Sequence, residues 1–271
     1  MTLDIQLVGN AMQMAVCGVR PGQTVYCEAG KFLFSSGRLT PETRLTAPGT
    51  ESSSGGALSG LMNVAKQAGK RKLAGESLAF QYFTNGGTEP ERLGLAGVLP
   101  GEMRVLELDG STAWLAEKDA FVAAESTVTF DIAFSGLRQG LRGGEGFVLE
   151  RFGGSGSVLV GGAGNFIDLD PADFGGTLKV DTGCIVAFEE SVSYSVARVA
   201  GLNKQALMNA FLGGEGLSLA TLSGKGRVIL QSMTMAGLAN AIAKNMHRGD
   251  DGGDQGEKGF GAIGGLLRGL D

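Results

Sequence analysis

The chain has little of what catalysis, disulfide frameworks and nucleic-acid binding draw on. Its 271 residues include one histidine, three cysteines, six prolines and one tryptophan, and charged residues make up 19%, below the roughly 25% usual for soluble domains. The single His247 falls where a last helix should fray into a polar tail, so it offers no rigid base for a Ser-His-Asp or Cys-His arrangement. Cys17, Cys27 and Cys184 are odd in number, scattered and without CxxC spacing, which excludes a disulfide framework and a Cys/His zinc site and suits a reducing compartment. A formal net charge of -5 and a pI near 5.1 leave no global basic face for phosphate neutralisation, which disfavours nucleic acid as a partner. No run of 18 apolar residues occurs, so no spanning helix is expected. MTLDIQLVGN holds an acid and no apolar core, so no secretory leader is expected and the cytoplasm is the expected location.

Phosphate-binding loops are missing too. The stretch VLVGGAGNFIDLD looks like a strand opening a dinucleotide loop, but Ile167 stands where the third glycine of GxGxxG would fall and Pro171 follows closely, leaving no helix to receive a pyrophosphate. No GxxxxGK[ST] is present. These absences together predict a protein with no cofactor and no catalytic residue, hence not an enzyme.

Glycine is what the chain has in quantity: 47 residues, about 17% against an average of roughly 7%. With few prolines and no collagen-like period, this much glycine predicts many tight turns between short apolar runs, the signature of an all-β protein. The turns recur. GGEGFVLERFGGSGSVLVG, from Gly143, and GGEGLSLATLSGKGRVILQ, from Gly213, agree at eight of 19 positions. A third copy lies at AGESLAFQYFTNGG, where Gly75, Glu76, Leu78, Phe80, Phe83 and Gly87 match Gly144, Glu145, Phe147, Leu149, Phe152 and Gly156. The offsets of 69 and 70 residues between Glu76, Glu145 and Glu215 set a period and a copy number of three.

A second element recurs in the same order: GQTVYCEAGKFLFSS, GSTAWLAEKDAFVAAES and GGTLKVDTGCIVAFEES each read as turn, short strand, turn and apolar strand. Each copy is therefore expected to be a set of antiparallel hairpins. A hairpin set with one apolar face and exposed edges is unstable alone, so the copies should pack together. The expected fold is all-β, with three similar antiparallel subdomains related by an internal pseudo-threefold axis, a short helical insertion and a C-terminal helix. The boundaries read as 1–95 for the first repeat, 96–160 for the second, 161–234 for the third, 235–248 for the helix and 249–271 for a flexible Gly/Asp-rich tail.

This pattern, G-E-x-[LF]-x-[LF]-x-x-[FL]-x-G-x-G-x-V in three copies, resembles the altered-inheritance-of-mitochondria (mitochondrial biogenesis) family over roughly residues 1–246. KLAGESLAFQYFT, FGGTLKVDTGCIVAFEESVSYSV and GGEGLSLATLSGKGRVILQS carry the likeness. The resemblance implies a pseudo-threefold all-β structure related to the tryptophan RNA-binding attenuator fold, and a link to inner-membrane organisation. It implies no catalytic residue.

Two appendages interrupt the repeats. In the first copy an insertion near 55–72 places Leu61 and Met62 at helical spacing and ends in Lys66, Lys70, Arg71 and Lys72, a basic amphipathic segment suited either to a membrane surface or partner or to lying across the β body. After RGDDGGDQGEKG the chain continues as FGAIGGLLRGLD, where Phe260 and Leu267 keep near-helical spacing; this tail reads as a leashed docking element or as a solvated end. Glu76, Glu145 and Glu215 occupy equivalent places and form a candidate oxygen-ligand cation site if they approach a common axis; otherwise each serves backbone amides in its own turn. Phe80, Tyr82 and Phe83 are at core positions of the repeat, as is Trp114. The functional expectation is a non-enzymatic scaffold or interaction protein, with protein partners, peripheral contact at a membrane surface, and a monomeric or homo-oligomeric state. The alternative is a small-ligand or RNA-binding module.

Overall fold

Strands form where the glycine-bounded apolar runs lie, because β-branched and aromatic residues between turn residues favour extended pairing. In a computed structural model, residues 2–45, 48, 79–136, 147–197 and 219–246 are described. The first copy contributes β1 (Asp4–Val8), β2 (Met14–Val19), β3 (Thr24–Glu28), β4 (Phe32–Ser35), β5 (Pro41–Arg44), β6 (Phe80–Thr84) and β7 (Glu91–Ala96). The second contributes β8 (Met103–Asp109), β9 (Trp114–Glu117), β10 (Phe121–Glu125), β11 (Val128–Gly136) and the long β12 (Phe147–Gly161). The third contributes β13 (Phe166–Leu169), β14 (Thr177–Asp181), β15 (Ile185–Glu189), β16 (Ser193–Ala197), β17 (Leu219–Ser223) and β18 (Val228–Gln231). All named strand pairs are antiparallel. Residues Met1–Met235 form one compact unit and Ala236–Asp271 another; the helix α1 (Met235–Met246) runs into the second, and within it Asn245 Nδ2 donates back to the Ala241 carbonyl at 2.8 Å.

The copies repeat each other's pairing residue for residue. Glu28, Glu117 and Asp181, the last residues of β3, β9 and β14, stand opposite Phe80, Leu149 and Leu219. After the turn, β4 pairs with β7, β10 with the second half of β12, and β15 with β18, and each ladder is interrupted at the same place: between Phe32 and Phe34, between Phe121 and Ala123, and between Ile185 and Ala187. A bulge kept at one position in three copies bends each strand alike. The turns themselves are held by side chains where the sequence provides acceptors: Glu117 Oε2 accepts from Asp119 N at 2.8 Å and Asp181 Oδ1 from Gly183 N at 3.0 Å.

The repeated GxG is a backbone requirement. Gly154 and Gly224 have φ of 86° and 105°, and Gly156 and Gly226 have φ of 135° and 147°, a region side-chain-bearing residues avoid. The first copy solves the same turn differently. Arg92 follows Phe83 by nine positions, whereas Ser157 and Arg227 follow Phe152 and Leu222 by five. Gly87 is thus not the counterpart of Gly156. In the longer turn Asn85 takes over, accepting from Gly87 N at 2.8 Å and donating to the Val19 and Glu89 carbonyls, each at 2.8 Å.

Not every strand of the repeat buries a single face. Val158, Leu159 and Val160 are all buried, with Val158 and Val160 in one apolar cluster and Leu159 in another. This half of β12 lies between β8 and β10 with core on both sides, so its apolar run is continuous and not alternating. The central cluster is aromatic: Phe121 stacks on Phe152 at 5.0 Å and Phe80 meets Phe130 edge-on at 5.3 Å.

Candidate interaction surface

Equivalent strands meet different surroundings. The first copy joins the second through β3 and β10, with Cys27 opposite Ala123, Tyr26 opposite Ala124 and Val25 opposite Glu125. The second joins the third through β9 and β15, with Ala116 opposite Ala187, Leu115 opposite Phe188 and Trp114 opposite Glu189. By the internal equivalences these two junctions are the same contact in the same register. Among the described residues, the strands left over are β14, an end of a three-stranded sheet, and β4, an end of a four-stranded one.

The consequence shows in exposure. Phe121, Val122 and Ala123 are at most 1% exposed, as are Ile185, Val186 and Ala187, whereas their counterparts Phe32, Leu33 and Phe34 are 37%, 48% and 43% exposed. Along β14, Thr177 and Lys179 are exposed, while the corresponding Thr24 is half-buried and Tyr26 is fully buried. Phe32 stacks on Phe83 at 5.2 Å, and the Phe34 ring lies over Gly94, where a Cβ would enter the ring. This exchanges large for small across the ladder: Ala123 faces Leu159 and Ala187 faces Ile229, but Phe34 faces glycine.

Polar groups in this body hold turns and strands. Glu125, 5% exposed, accepts through Oε2 from Ser157 N at 2.8 Å and Leu3 N at 3.2 Å, and through Oε1 from Gln23 Nε2 at 2.9 Å. Its counterpart Glu189 accepts from Arg227 N at 3.1 Å, and Ser36, the third counterpart, accepts through Oγ from Arg92 N at 2.8 Å. A Cβ at Gly156 or Gly226 would stand 2.9 Å or 2.8 Å from the Glu125 or Glu189 carboxylate, so the glycine also makes room for the acceptor. Asp168 is shared by Arg104 and Arg227, and Arg227 lies 5.4 Å from the Trp114 ring centre. Arg151 grips Glu190 with two bonds of 2.7 and 2.8 Å, which keeps the Glu190 carboxyl below its ordinary pKa. Burial pushes the Cys17 and Cys27 thiols up to about 12 and raises Cys184 as well, so thiolate chemistry is suppressed.

The candidate residues chosen from sequence, Glu76, Glu145, Glu215, Leu61, Met62, Lys66, Lys70, Arg71, Lys72, Phe260 and Leu267, lie outside the described residues, as does His247. Among the described residues no group of three or more His, Cys, Asp or Glu is placed to hold a metal ion, and no helix is long and apolar enough to cross a membrane. Phe80, Tyr82 and Phe83 are buried, and Tyr82 stacks on Tyr26 at 5.6 Å. The residues sequence reasoning missed are Phe32, Leu33 and Phe34, since the other two copies carry an equally apolar run at the same place.

These features define an all-β protein built from three copies of one hairpin set, joined in series through equivalent strand edges. The family model for mitochondrial biogenesis AIM24 matches residues 5–233, and the chain belongs to that family. Its fold is similar to that of a Streptococcus pyogenes protein solved by crystallography, with a TM-score of 0.65 and 19% identity over 90% of this chain and 99% of the other. No curated protein matches the chain.

Proposed function

We propose that this protein is a non-enzymatic scaffold that docks a protein partner by strand addition at its open β edges. The observation that carries the reading is the contrast within the repeat: Phe32, Leu33 and Phe34 are 37–48% exposed where both sets of counterparts are buried. An exposed edge bearing a run of large apolar side chains invites pairing, and soluble proteins normally cover or blunt it. Strand addition supplies main-chain hydrogen bonds for affinity and alternate side-chain contacts for specificity. Two carboxylates support the same reading, since the buried Glu125 and the more open Glu189 spend acceptors on backbone amides and so serve the body.

The test is native mass spectrometry of the full chain purified gently from its own cells, beside a Leu33→Lys variant. Leu33 is the most exposed of the triplet, so lysine there should leave the melting curve unchanged. The reading expects protein mass beyond one chain in the wild type and its loss in the variant. A bare single chain in both would overturn it.

A further inference from the structure

The edges of β4 and β14, unpaired among the described residues, are the two halves of a junction the molecule already makes twice. Both internal junctions set a strand before the turn (β3, β9) against a strand after the turn (β10, β15) of the next copy. Continued once more, the series needs β14 against β4. A second feature recurs with it. Gln13 N donates to the Gly101 carbonyl at 2.9 Å while Gln13 Oε1 accepts from Met103 N at 2.7 Å. Glu102 N donates to the Gly164 carbonyl at 2.9 Å while Glu102 Oε2 accepts from Phe166 N at 3.0 Å. Each clasp ties a copy to the next. Asn165 holds the corresponding place in the third copy, and there its N–H goes to Ser232 Oγ at 2.9 Å, within the copy's own surroundings.

From this continuity we infer that the docking partner is a second copy of this chain, whose β14 adds antiparallel to β4. The inference rests on the scaffold reading above. β4 and β14 belong to one compact unit, Met1–Met235, yet among the described residues each is a sheet end and neither pairs with the other, so the edge of a second copy can take the place. The internal junctions fix the register. Val180 corresponds to Cys27 and Ala116, Lys179 to Tyr26 and Leu115, and Leu178 to Val25 and Trp114, as their ladders with β17, β6 and β12 show. The new pairs are therefore Phe34 with Val180, Ser35 with Lys179 and Ser36 with Leu178. Apolar meets apolar at the first and polar meets polar at the second. The contact joins unlike edges, so it adds copies head to tail into a closed ring or an open row.

Cysteine cross-linking tests the register directly, because opposed residues of an antiparallel pair have Cα atoms about 4.5–5.5 Å apart, within disulfide reach. Ser35→Cys and Lys179→Cys are made separately in a full-length Cys184→Ser background; Cys17 and Cys27 are fully buried. The expected result is a covalent dimer when the two variants are mixed under mild oxidation and none from either alone. A mixture that stays monomeric overturns the inference, as does a chain carrying both substitutions that closes a disulfide within itself and forms no ladder of oligomers. If the mixture gives no dimer while native mass spectrometry shows a different protein on the wild type that Leu33→Lys releases, self-pairing fails and the scaffold reading stands.

Discussion

At the scale of the residue, the same task is done by different side chains in different copies. The N–H that follows the GxG turn is accepted by Glu125 in the second copy and by Glu189 in the third, and in the first copy the equivalent N–H of Arg92 is accepted by the Ser36 hydroxyl. Only Glu125 also gathers the N-terminal strand, through Leu3 N, and Gln23. Glu125→Ala leaves two backbone donors without an acceptor in a buried place, at about 1–3 kcal/mol for each; urea denaturation should show a matching loss of stability. Glu189→Ala should cost less, since its site is more open and water can replace it.

The thiols give a pH dependence with a definite sign. Cys17 and Cys27 are raised from the ordinary 9.0 to about 12, chiefly by burial, with Asp4 adding at Cys17 and Glu28 at Cys27. Above about pH 9 the unfolded chain ionises its thiols while the buried ones stay neutral, which favours unfolding. The contribution of the buried thiols is fully present below about pH 9 and is lost as pH rises from there through about 12. Thermal melting followed from pH 8 to 11 should fall, and a Cys17→Ala, Cys27→Ala variant should fall less steeply.

At the scale of the element, β4 shows how a strand adapts to the end of a series. Its bulge is that of β10 and β15, yet Phe34 covers Gly94 where the other copies set alanine against a large residue. Gly94→Ala would drive the Phe34 ring off β7, an overpacking that costs about 1–3 kcal/mol; equilibrium unfolding should detect it, while Ala123→Gly at the equivalent site should act through a small cavity instead. Much of this architecture was legible. The GxG glycines, the turns at Ala29-Gly30, Lys118-Asp119 and Thr182-Gly183, and the core aromatics are demands of backbone and burial that one strand's own residues express. The bare edge was not legible, because FLF is as apolar as FVA or IVA, and whether such a strand is covered depends on a neighbour and not on its composition. The Ser36, Glu125, Glu189 series was hidden for another reason. The first copy's longer turn shifts the alignment at Gly87, and a serine hydroxyl replaces a carboxylate.

At the scale of the whole molecule, three copies joined by two equivalent junctions leave, among the described residues, the complementary edges of β4 and β14. In this protein of the mitochondrial biogenesis AIM24 family, that arithmetic is the basis of the proposed self-association. The junctions already made should be permanent within the chain and the third should depend on concentration. Hydrogen–deuterium exchange at nanomolar and at high micromolar concentration separates these most directly. The account predicts that peptides covering Phe32–Ser35 and Thr177–Asp181 become protected together as concentration rises, while those covering Thr24–Glu28, Trp114–Glu117, Phe121–Glu125 and Ile185–Glu189 are protected at both. Equal, rapid exchange of β4 and β14 at both concentrations, with no added partner in the sample, would contradict it.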